Sequence, residues 1–331
     1  MQTELLLVFL LSIIIVVSGV ALTAAAAFGT LDKTSTMTTL SPSRQALANF
    51  NFAAVGDWGC TSHTIDTVNN ILDKKPELVL GLGDYSYNKT TADCWLKTID
   101  PIDEIMKISI GNHDDETSSS LREYMSHFNL THQYYSFNYQ NVHFTVISTE
   151  LPYEVGSKQY NFINNDLSKA AADPNIDWII VYYHKLAYTS PSKHAAQSLL
   201  QNTYHPLFDK YDVDLVLQGH NHNYQRSYPI EYKTTNLLSN SKTKTTPPII
   251  TDTNNTNYNN PKGPIFVTVG TGGEYERGYK LIGKAPYVAS QHVGYGILDV
   301  DVINNGKTLD SKFYEDIDGI VKDQFTITKS K

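Results

Sequence analysis

The sequence predicts an α/β protein in which two mixed β-sheets pack face to face between outer helices, a four-layer αββα sandwich. Three observations support this class. Short apolar runs of strand length recur from residue 50 onward, helical stretches separate most of them, and further apolar runs follow residue 263. The alternation is typical of βαβ units and of a buried, mostly parallel sheet. The later runs predict a second sheet that packs against the first.

Composition and charge fit a folded globular protein. Of the 331 residues, 41% are hydrophobic and 18% are charged, which is enough to bury a large core. The formal net charge is −8, and an acidic surface of this kind predicts that nucleic acid is not a partner. Two cysteines are too few for a disulfide-rich scaffold or a cysteine-based zinc site.

The N-terminal segment is interpreted as a targeting signal. Residues 5–28 form an uncharged apolar run that is long enough to cross a bilayer, and it ends in the small residues that precede signal peptidase cleavage. We expect residues 1–27 to be a signal peptide. The alternative is an uncleaved signal anchor, because Glu4 is the only charged side chain where basic residues are usual. Both interpretations predict entry into the secretory pathway and a secreted or lysosomal location. A stable association with the membrane is expected only if the segment is not cleaved. Residues 28–48 are interpreted as a linker.

Five predicted strands end in polar motifs. The runs and motifs are Phe50–Val55 before Gly56-Asp57-Trp58-Gly59, Leu78–Leu82 before Gly83-Asp84-Tyr85-Ser86-Tyr87, Ile108–Ile110 before Gly111-Asn112-His113-Asp114, Trp178–Tyr183 before His184, and Val213–Leu217 before Gln218-Gly219-His220-Asn221-His222. Each motif alone is also compatible with a capped turn. Because ligands gather at the carboxyl ends of strands in such sheets, we predict that all five meet at one edge.

The remaining chain supplies further predicted strands and one unusual segment. The strands are a hairpin of Tyr134–Tyr139 with His143–Thr149, followed by Pro264–Val269, Gly296–Val302 and Lys312–Tyr314. Residues 233–262 are rich in Thr and Asn, which supply 15 of the 30 residues. Such a composition buries little surface, so this segment is predicted to be a disordered surface insertion.

The residue types in the five motifs are those of a metal centre. Asp, Asn, His and Tyr offer oxygen and nitrogen atoms that suit hard or borderline metal ions, and no thiolate is involved. Two ions roughly 3.5 Å apart need one carboxylate that bridges them. Asp84 lies in the middle of the series and is the natural bridge.

This series resembles the five-block signature of purple acid phosphatases, within the metallophosphoesterase superfamily. The blocks are Gly-Asp-x-Gly, Gly-Asp-x-x-Tyr, Gly-Asn-His-Asp, Val-x-x-His and Gly-His-x-His, and they cover residues 50–228. The length resembles that of the small, tartrate-resistant type, whereas residues 219–226 and the short stretch 150–160 look more like the catalytic domain of the larger enzymes. The resemblance implies a catalytic domain over residues 49–331 and a binuclear centre of Fe(III) with Fe(II), Zn(II) or Mn(II). By that likeness, Fe(III) is held by Asp57, Asp84, Tyr87 and His222, and the divalent ion by Asp84, Asn112, His184 and His220.

Gly59 and Tyr87 separate this series from many other metallophosphoesterases. Those proteins begin with Asp-x-His, whereas Gly59 occupies the histidine position here. Tyr87 supplies the missing donor, and an anionic phenolate favours a trivalent ion. The alternative is that Tyr87 is one of the many tyrosines found at strand ends.

The resemblance also implies an activity, an acid phosphatase that hydrolyses small phosphate monoesters with a metal-bound hydroxide as the nucleophile. It makes His113 and His194 groups that contact the phosphoryl oxygens or protonate the leaving alcohol, and Asp114 is expected to orient His113. One alternative is a metallophosphodiesterase or nucleotide pyrophosphatase with two divalent metals on the same fold. Another is a surface-displayed binding protein without turnover, against which the complete ligand set argues.

Two further expectations follow from a secretory destination. Cys60 lies three residues after Asp57 and Cys94 ten residues after Asp84, so both lie near the same edge and a disulfide between them is predicted. Two free buried thiols are the alternative. The sequons at Asn88, Asn129 and Asn254 are candidate sites for N-glycans.

Overall fold

The computed structural model describes residues 47–88, 91–233, 247–280 and 283–330. The predictions for residues 1–46 lie outside this described part. Five α-helices occur within it, and a short 3-10 helix, Asp100–Ile105, follows the second of them. The α-helices are α1 Ser62–Lys74, α2 Asp93–Ile99, α3 Ser118–His127, α4 Lys158–Ala172 and α5 Ser198–Lys210. None of the described helices combines the length and the apolar character that crossing a membrane requires.

Most of the described strands form two seven-stranded sheets. The strands are β1 Phe50–Val55, β2 Leu78–Gly81, β3 Met106–Ile108, β4 Tyr135–Tyr139, β5 Val142–Val146, β6 Trp178–Tyr182, β7 Leu215–Gln218, β8 Tyr224–Ser227, β9 Ile230–Glu231, β10 Ile249–Ile250, β11 Asn257–Asn259, β12 Ile265–Val269, β13 Val288–His292, β14 Gly296–Ile303, β15 Thr308–Glu315 and β16 Val321–Thr328. The first sheet has the order β11-β16-β15-β14-β1-β2-β3, and the second has the order β13-β8-β12-β7-β6-β5-β4.

The two sheets pack face to face. Phe52 of β1 meets Phe144 of β5 edge-on at 5.4 Å between ring centroids, and Tyr224 of β8 stacks on Phe313 of β15 at 4.2 Å. Outside the second sheet, α4 and α5 bury their apolar side chains against β6 and β7. Outside the first sheet, α1 contributes buried residues to the core. The predicted αββα sandwich is therefore confirmed.

The assignment of strands to sheets differs from the prediction. The five motif strands were expected in one sheet, but β1, β2 and β3 lie in the first sheet and β6 and β7 in the second. Of the later strands, β12 joins the second sheet, whereas β14 pairs antiparallel with β1 and so continues the first. Local patterning predicts that a strand exists, but its partner is fixed by packing against distant parts of the chain. Because the sheets stack, the motif ends still meet.

Strand lengths show a second difference. The predicted strand Lys312–Tyr314 is the end of an eight-residue strand, Thr308–Glu315, and the third motif follows a strand that ends at Ile108. Six of the described strands were not predicted, namely β8, β9, β10, β11, β13 and β16. Their polar and charged residues weaken the apolar pattern from which strands are predicted.

The prediction of a disordered insertion at residues 233–262 is wrong for its second part. Residues 247–262 carry β10 and β11, and β11 pairs parallel with β16. Tyr258 of β11 is 1% exposed, and its hydroxyl accepts a hydrogen bond from the buried Arg226 at 2.9 Å. One aromatic anchor and edge pairing thus order a segment with little other apolar content. Residues 234–246 lie outside the described part.

The predicted disulfide between Cys60 and Cys94 is present. It joins the loop after β1 to the start of α2, and it closes a loop with a sequence separation of 34. The bond therefore ties together two segments of the chain that leave the edge where the motifs meet.

Removal of this disulfide is expected to lower stability. Replacing both cysteines with Ser should reduce the free energy of unfolding by about 3–4 kcal/mol, the value for closing a loop of this length. Urea unfolding of the purified variant and wild type measures the difference. An unchanged unfolding midpoint would show that the bond does not restrain the unfolded chain.

Candidate metal centre

The candidate ligands lie in sharp turns directly after their strands. Asp57, Asp84, Tyr87 and His220 all have positive φ, between 53° and 70°. This left-handed backbone costs side-chain-bearing residues about 1–2 kcal/mol each. Strained backbone of this kind clusters at functional sites, where surrounding structure holds it in place. The turns bring polar side chains from both sheets to one edge.

Three of the candidate ligand atoms form one group. The Tyr87 hydroxyl lies 3.1 Å from Asp57 Oδ1 and 3.1 Å from His222 Nε2. His222 Nε2 lies 3.4 Å from Asp57 Oδ1. A carboxylate, a phenol and an imidazole thus converge on one small volume, as the resemblance implies for the Fe(III) position.

A second group lies beside Asp84. His184 Nε2 is 3.1 Å from Asp84 Oδ2 and 3.1 Å from His220 Nδ1, and these three ligand atoms all lie within 4.8 Å of one another. Asn112 Oδ1 is buried and has no hydrogen-bond partner among the residues that the structure describes. A buried, unpaired carbonyl oxygen is costly unless something binds it. Oxygen and imidazole donors with one oxygen left unpaired fit a hard or borderline divalent ion.

In four of the ligands, a hydrogen bond to the backbone occupies one polar atom and leaves the other directed into the centre. Asp57 Oδ2 accepts from the His220 N–H at 2.7 Å, and Asp84 Oδ1 accepts from the His113 N–H at 2.8 Å. The ring Nδ1 of His184 lies 2.9 Å from the Leu82 carbonyl oxygen, and that of His222 lies 2.7 Å from the Tyr275 carbonyl oxygen. Such outer bonds fix the tautomer and direct each Nε2 lone pair inward.

The turns also depend on close backbone approach. A Cβ on Gly219 would lie 2.8 Å from Asp57 Oδ2, and a Cβ on Gly111 would collide with Asp84 Oδ1. Both carboxylates therefore occupy space that only glycine leaves open.

The charges of the group show how it would receive a cation. Burial alone would raise the pKa of Asp57, but the hydrogen bond and charge of His222 lower it to about 2. Burial opposes a charged His184, yet Asp84 raises the pKa of that imidazole to about 10. Burial and the Asp57 charge raise the pKa of Tyr87 well above its usual value. Protons on the imidazoles of His184 and His222 thus balance negative charge in the group, and a bound cation would replace them.

His113 lies next to this group, as predicted, although its partner differs from the expected one. Its ring contacts Tyr87 at 4.4 Å between centroids, and Nε2 lies 3.9 Å from Asp84 Oδ2. The expectation that Asp114 orients His113 is wrong. Asp114 is buried and accepts from the backbone N–H groups of Asp84 and Gly111, so it holds the turns together. Glu116 Oε1 instead lies 2.7 Å from His113 Nδ1.

Glu116 is therefore a residue that positions the ring of His113, a role that was not predicted from the sequence. We expect Glu116→Ala to reduce kcat for a phosphate monoester by roughly 10-fold or more, as loss of an outer hydrogen bond does at comparable sites. Glu116→Gln keeps an acceptor and should recover most of the activity. The exposed Glu154 provides a matched control, Glu154→Ala. Equal losses in the Ala and Gln variants of Glu116 would contradict this role.

His194 also lies at the centre. Its ring packs on that of His220 at 4.0 Å between centroids, and its N–H donates to Asn221 Oδ1 at 2.9 Å. Asn221 Nδ2 donates in turn to the His194 carbonyl oxygen at 3.1 Å. Burial, together with the charges of Lys193 and Arg277, lowers the pKa of His194. Asn221 thus fixes the position of His194. This role was not predicted from the sequence, although Asn221 stands between the two histidines of the fifth motif.

The structure thus brings all nine predicted site residues to one edge. A family model described as calcineurin-like phosphoesterase matches residues 50–224, more than half of the chain. The chain belongs to the calcineurin-like phosphoesterase family. This match covers all five motifs, and the resemblance found in them is confirmed.

Curated relatives of this calcineurin-like phosphoesterase include purple acid phosphatases. Purple acid phosphatase 15 of Arabidopsis thaliana is 25% identical over 267 residues, which cover 68% of this chain and 45% of the relative. Purple acid phosphatase 21 of the same plant is 29% identical over 248 residues, covering 68% and 50%. The chain spans about half the length of these curated relatives.

Solved structures share the fold. Purple acid phosphatase PPD1 from yellow lupin (Lupinus luteus) superposes with a TM-score of 0.72 at 22% identity, covering 86% of this chain and 54% of that one. GAP50 of Plasmodium, the anchor in the inner membrane complex, superposes with a TM-score of 0.63 at 17% identity, covering 86% and 90%. The two sheets of this calcineurin-like phosphoesterase therefore have the same architecture as those proteins.

Proposed function

We propose that the protein is an acid phosphatase that hydrolyses small phosphate monoesters at a binuclear centre of Fe(III) with Fe(II), Zn(II) or Mn(II). The observation that carries this proposal is the convergence of two ligand groups from both sheets. Their side chains are Asp57, Tyr87 and His222 in one group, and Asp84, Asn112, His184 and His220 in the other. The purple acid phosphatase relatives support the same activity.

The donor set supports different ions in the two groups. Asp57 and a deprotonated Tyr87 would bring two negative charges to the first ion, which suits a trivalent cation. Asn112, His184 and His220 are neutral donors that suit a divalent cation. Asp84 Oδ2 is the oxygen left free by the His113 N–H, and it would serve both. When bound, the two cations would polarise the phosphate ester and lower the pKa of water.

Two histidines act on the substrate in this proposal. His113 is held by Glu116 at Nδ1, so its Nε2 is the atom that donates to a phosphoryl oxygen or to the leaving oxygen. His194 is held by Asn221 against His220, and its ring would bound the space for the phosphoryl group. Both rings are partly exposed, as groups that contact an incoming substrate must be.

The decisive experiment compares ester classes on the purified, metal-loaded protein. We expect kcat/KM for 4-nitrophenyl phosphate to exceed that for bis(4-nitrophenyl) phosphate, with an optimum at acidic pH. Preferential turnover of the diester, with two divalent ions per chain, would favour the metallophosphodiesterase or nucleotide pyrophosphatase alternative. Absence of turnover in a fully metal-loaded protein would favour the binding-protein alternative.

We also propose that the protein enters the secretory pathway and is secreted or lysosomal. The Cys60–Cys94 disulfide supports an oxidising compartment. The sequon residues Asn88, Asn129 and Asn254 are exposed, as glycan attachment requires. A shift in mass after endoglycosidase treatment of protein from a secreting host would test this proposal.

A further inference from the structure

Two cations lie beside the candidate centre without a carboxylate partner in the part of the chain that the structure describes. They are Lys193, which is exposed and precedes His194, and Arg277, which is half-buried. A third neighbouring cation, Lys185, does have a carboxylate partner, because its ammonium forms an ion pair with Glu150 at 2.6 Å. The charges of Lys193 and Arg277 therefore remain available to a ligand.

Hydrogen bonds hold the two cations in adjacent loops. Asn223 Nδ2 donates to Ser192 Oγ at 3.1 Å and to the Arg277 carbonyl oxygen at 2.9 Å. The Lys280 N–H donates to the Pro191 carbonyl oxygen at 2.9 Å. The loop that carries Lys193 and the segment that carries Arg277 are thus joined through one buried amide and one backbone bond.

Arg277 also contacts the candidate centre directly. Its N–H donates to the His222 carbonyl oxygen at 2.9 Å, and its guanidinium Nε lies 3.3 Å from His222 Nδ1. Lys193 directly precedes His194, whose ring packs on that of His220 at 4.0 Å between centroids. The two cations therefore flank the groups that would surround a bound phosphoryl group.

In the described part of the chain, Arg277 forms no ion pair with its acidic neighbours Glu274 and Glu276. The Glu274 carboxylate lies beside Gly59, in the turn that carries Asp57, and its charge helps to raise the pKa of Tyr87. Glu276 lines a separate cavity of about 250 Å³ together with His63 and Tyr295. In a chain whose net charge is −8, a local pair of unneutralised cations is selective for a negatively charged group.

We propose that Lys193 and Arg277 form a subsite for a second anionic group of the substrate, a carboxylate or a phosphate carried by its alcohol portion. This inference rests on the proposed phosphatase function, since the first phosphate occupies the metal centre. A guanidinium binds either anion through paired N–H groups, and an ammonium adds a point charge. The substrate class is therefore a phosphate monoester whose leaving alcohol carries a further negative charge.

Matched substrates test this subsite. One pair is the phosphate ester of 4-hydroxyphenylacetate and that of its amide, and the other is the phosphate ester of 4-hydroxybenzylphosphonate and that of its dimethyl ester. Each pair removes the second charge and leaves the scissile bond unchanged. We expect kcat/KM of the wild type to be roughly tenfold higher for the charged member, the effect of charge-assisted hydrogen bonds at a partly exposed site. The pair with the larger ratio distinguishes carboxylate from phosphate.

Variants assign the preference to the two cations. Arg277→Gln and Lys193→Gln should each bring the ratio toward one, and Arg277→Lys should retain part of it. Lys169→Gln is the matched control, because Lys169 lies in the last turn of α4, near the start of β6 and far from the strand ends, and the ratio should persist. Equal turnover of both members by the wild type, or a ratio unchanged in both Gln variants, would overturn the subsite and leave the phosphatase proposal intact. Failure of the metal-loaded wild type to hydrolyse any member would contradict both proposals.

Discussion

Asp84→Asn is expected to lose metal from both positions and to reduce phosphatase activity by roughly 10³-fold or more. Asp84 Oδ2 is the free carboxylate oxygen beside His184, since Oδ1 is taken by the His113 N–H. An amide in its place binds cations weakly and cannot bridge two of them. Loss of a direct ligand should exceed the 10–100-fold cost of losing an outer partner. Metal analysis and kcat/KM on the same sample measure both effects.

The control for this variant is Asp93→Asn. Asp93 is an exposed carboxylate in the first turn of α2, so the substitution makes the same change in net charge away from the centre. It should keep wild-type metal content and activity. Two metal ions per chain in Asp84→Asn would show that Asp84 is not the bridge.

Tyr87→Phe is expected to remove visible colour from the protein. A phenolate bound to Fe(III) absorbs visible light through charge transfer, and no other candidate ligand produces that band. The substitution removes one oxygen, the atom 3.1 Å from both Asp57 Oδ1 and His222 Nε2. The ring keeps its contact with His113, so the fold should persist. Iron content should fall because one anionic donor is lost, while some hydrolysis should remain.

Tyr275→Phe is the matched control for this loss of colour. The Tyr275 side chain is 74% exposed, and only its backbone carbonyl touches the centre, through His222 Nδ1. Its variant should keep the visible band. A band that persists in Tyr87→Phe would assign the colour to another group.

The sequence places the candidate ligands at strand ends because each motif is local. An apolar run that stops at Gly-Asp or Gly-Asn-His places its polar residues at a strand end, whichever sheet the strand joins. The pairing of β1 with β14 depends on residues about 250 positions away, and no local pattern contains it. This is why the presence of two sheets was predicted correctly, whereas the strands that belong to each sheet were not.

The outer residues of the site were harder to predict because they act through side-chain direction. Asp114 and Glu116 are two carboxylates near His113 in sequence, and the turn alone decides which one reaches its ring. The Asn221 side chain hydrogen-bonds to the backbone of His194, a contact that its place between two histidines in the fifth motif does not indicate. The contacts of Tyr258 could not be predicted from the sequence either. This one buried aromatic residue anchors a segment whose composition predicts disorder.

The visible spectrum and the metal content of the purified wild-type protein test the iron–tyrosinate centre. We expect a purple to pink protein with iron and a second metal ion in each chain, because Tyr87 lies with Asp57 and His222 in one ligand group. A protein that is active and fully loaded with two divalent ions, yet colourless even after mild oxidation, would contradict the iron–tyrosinate centre.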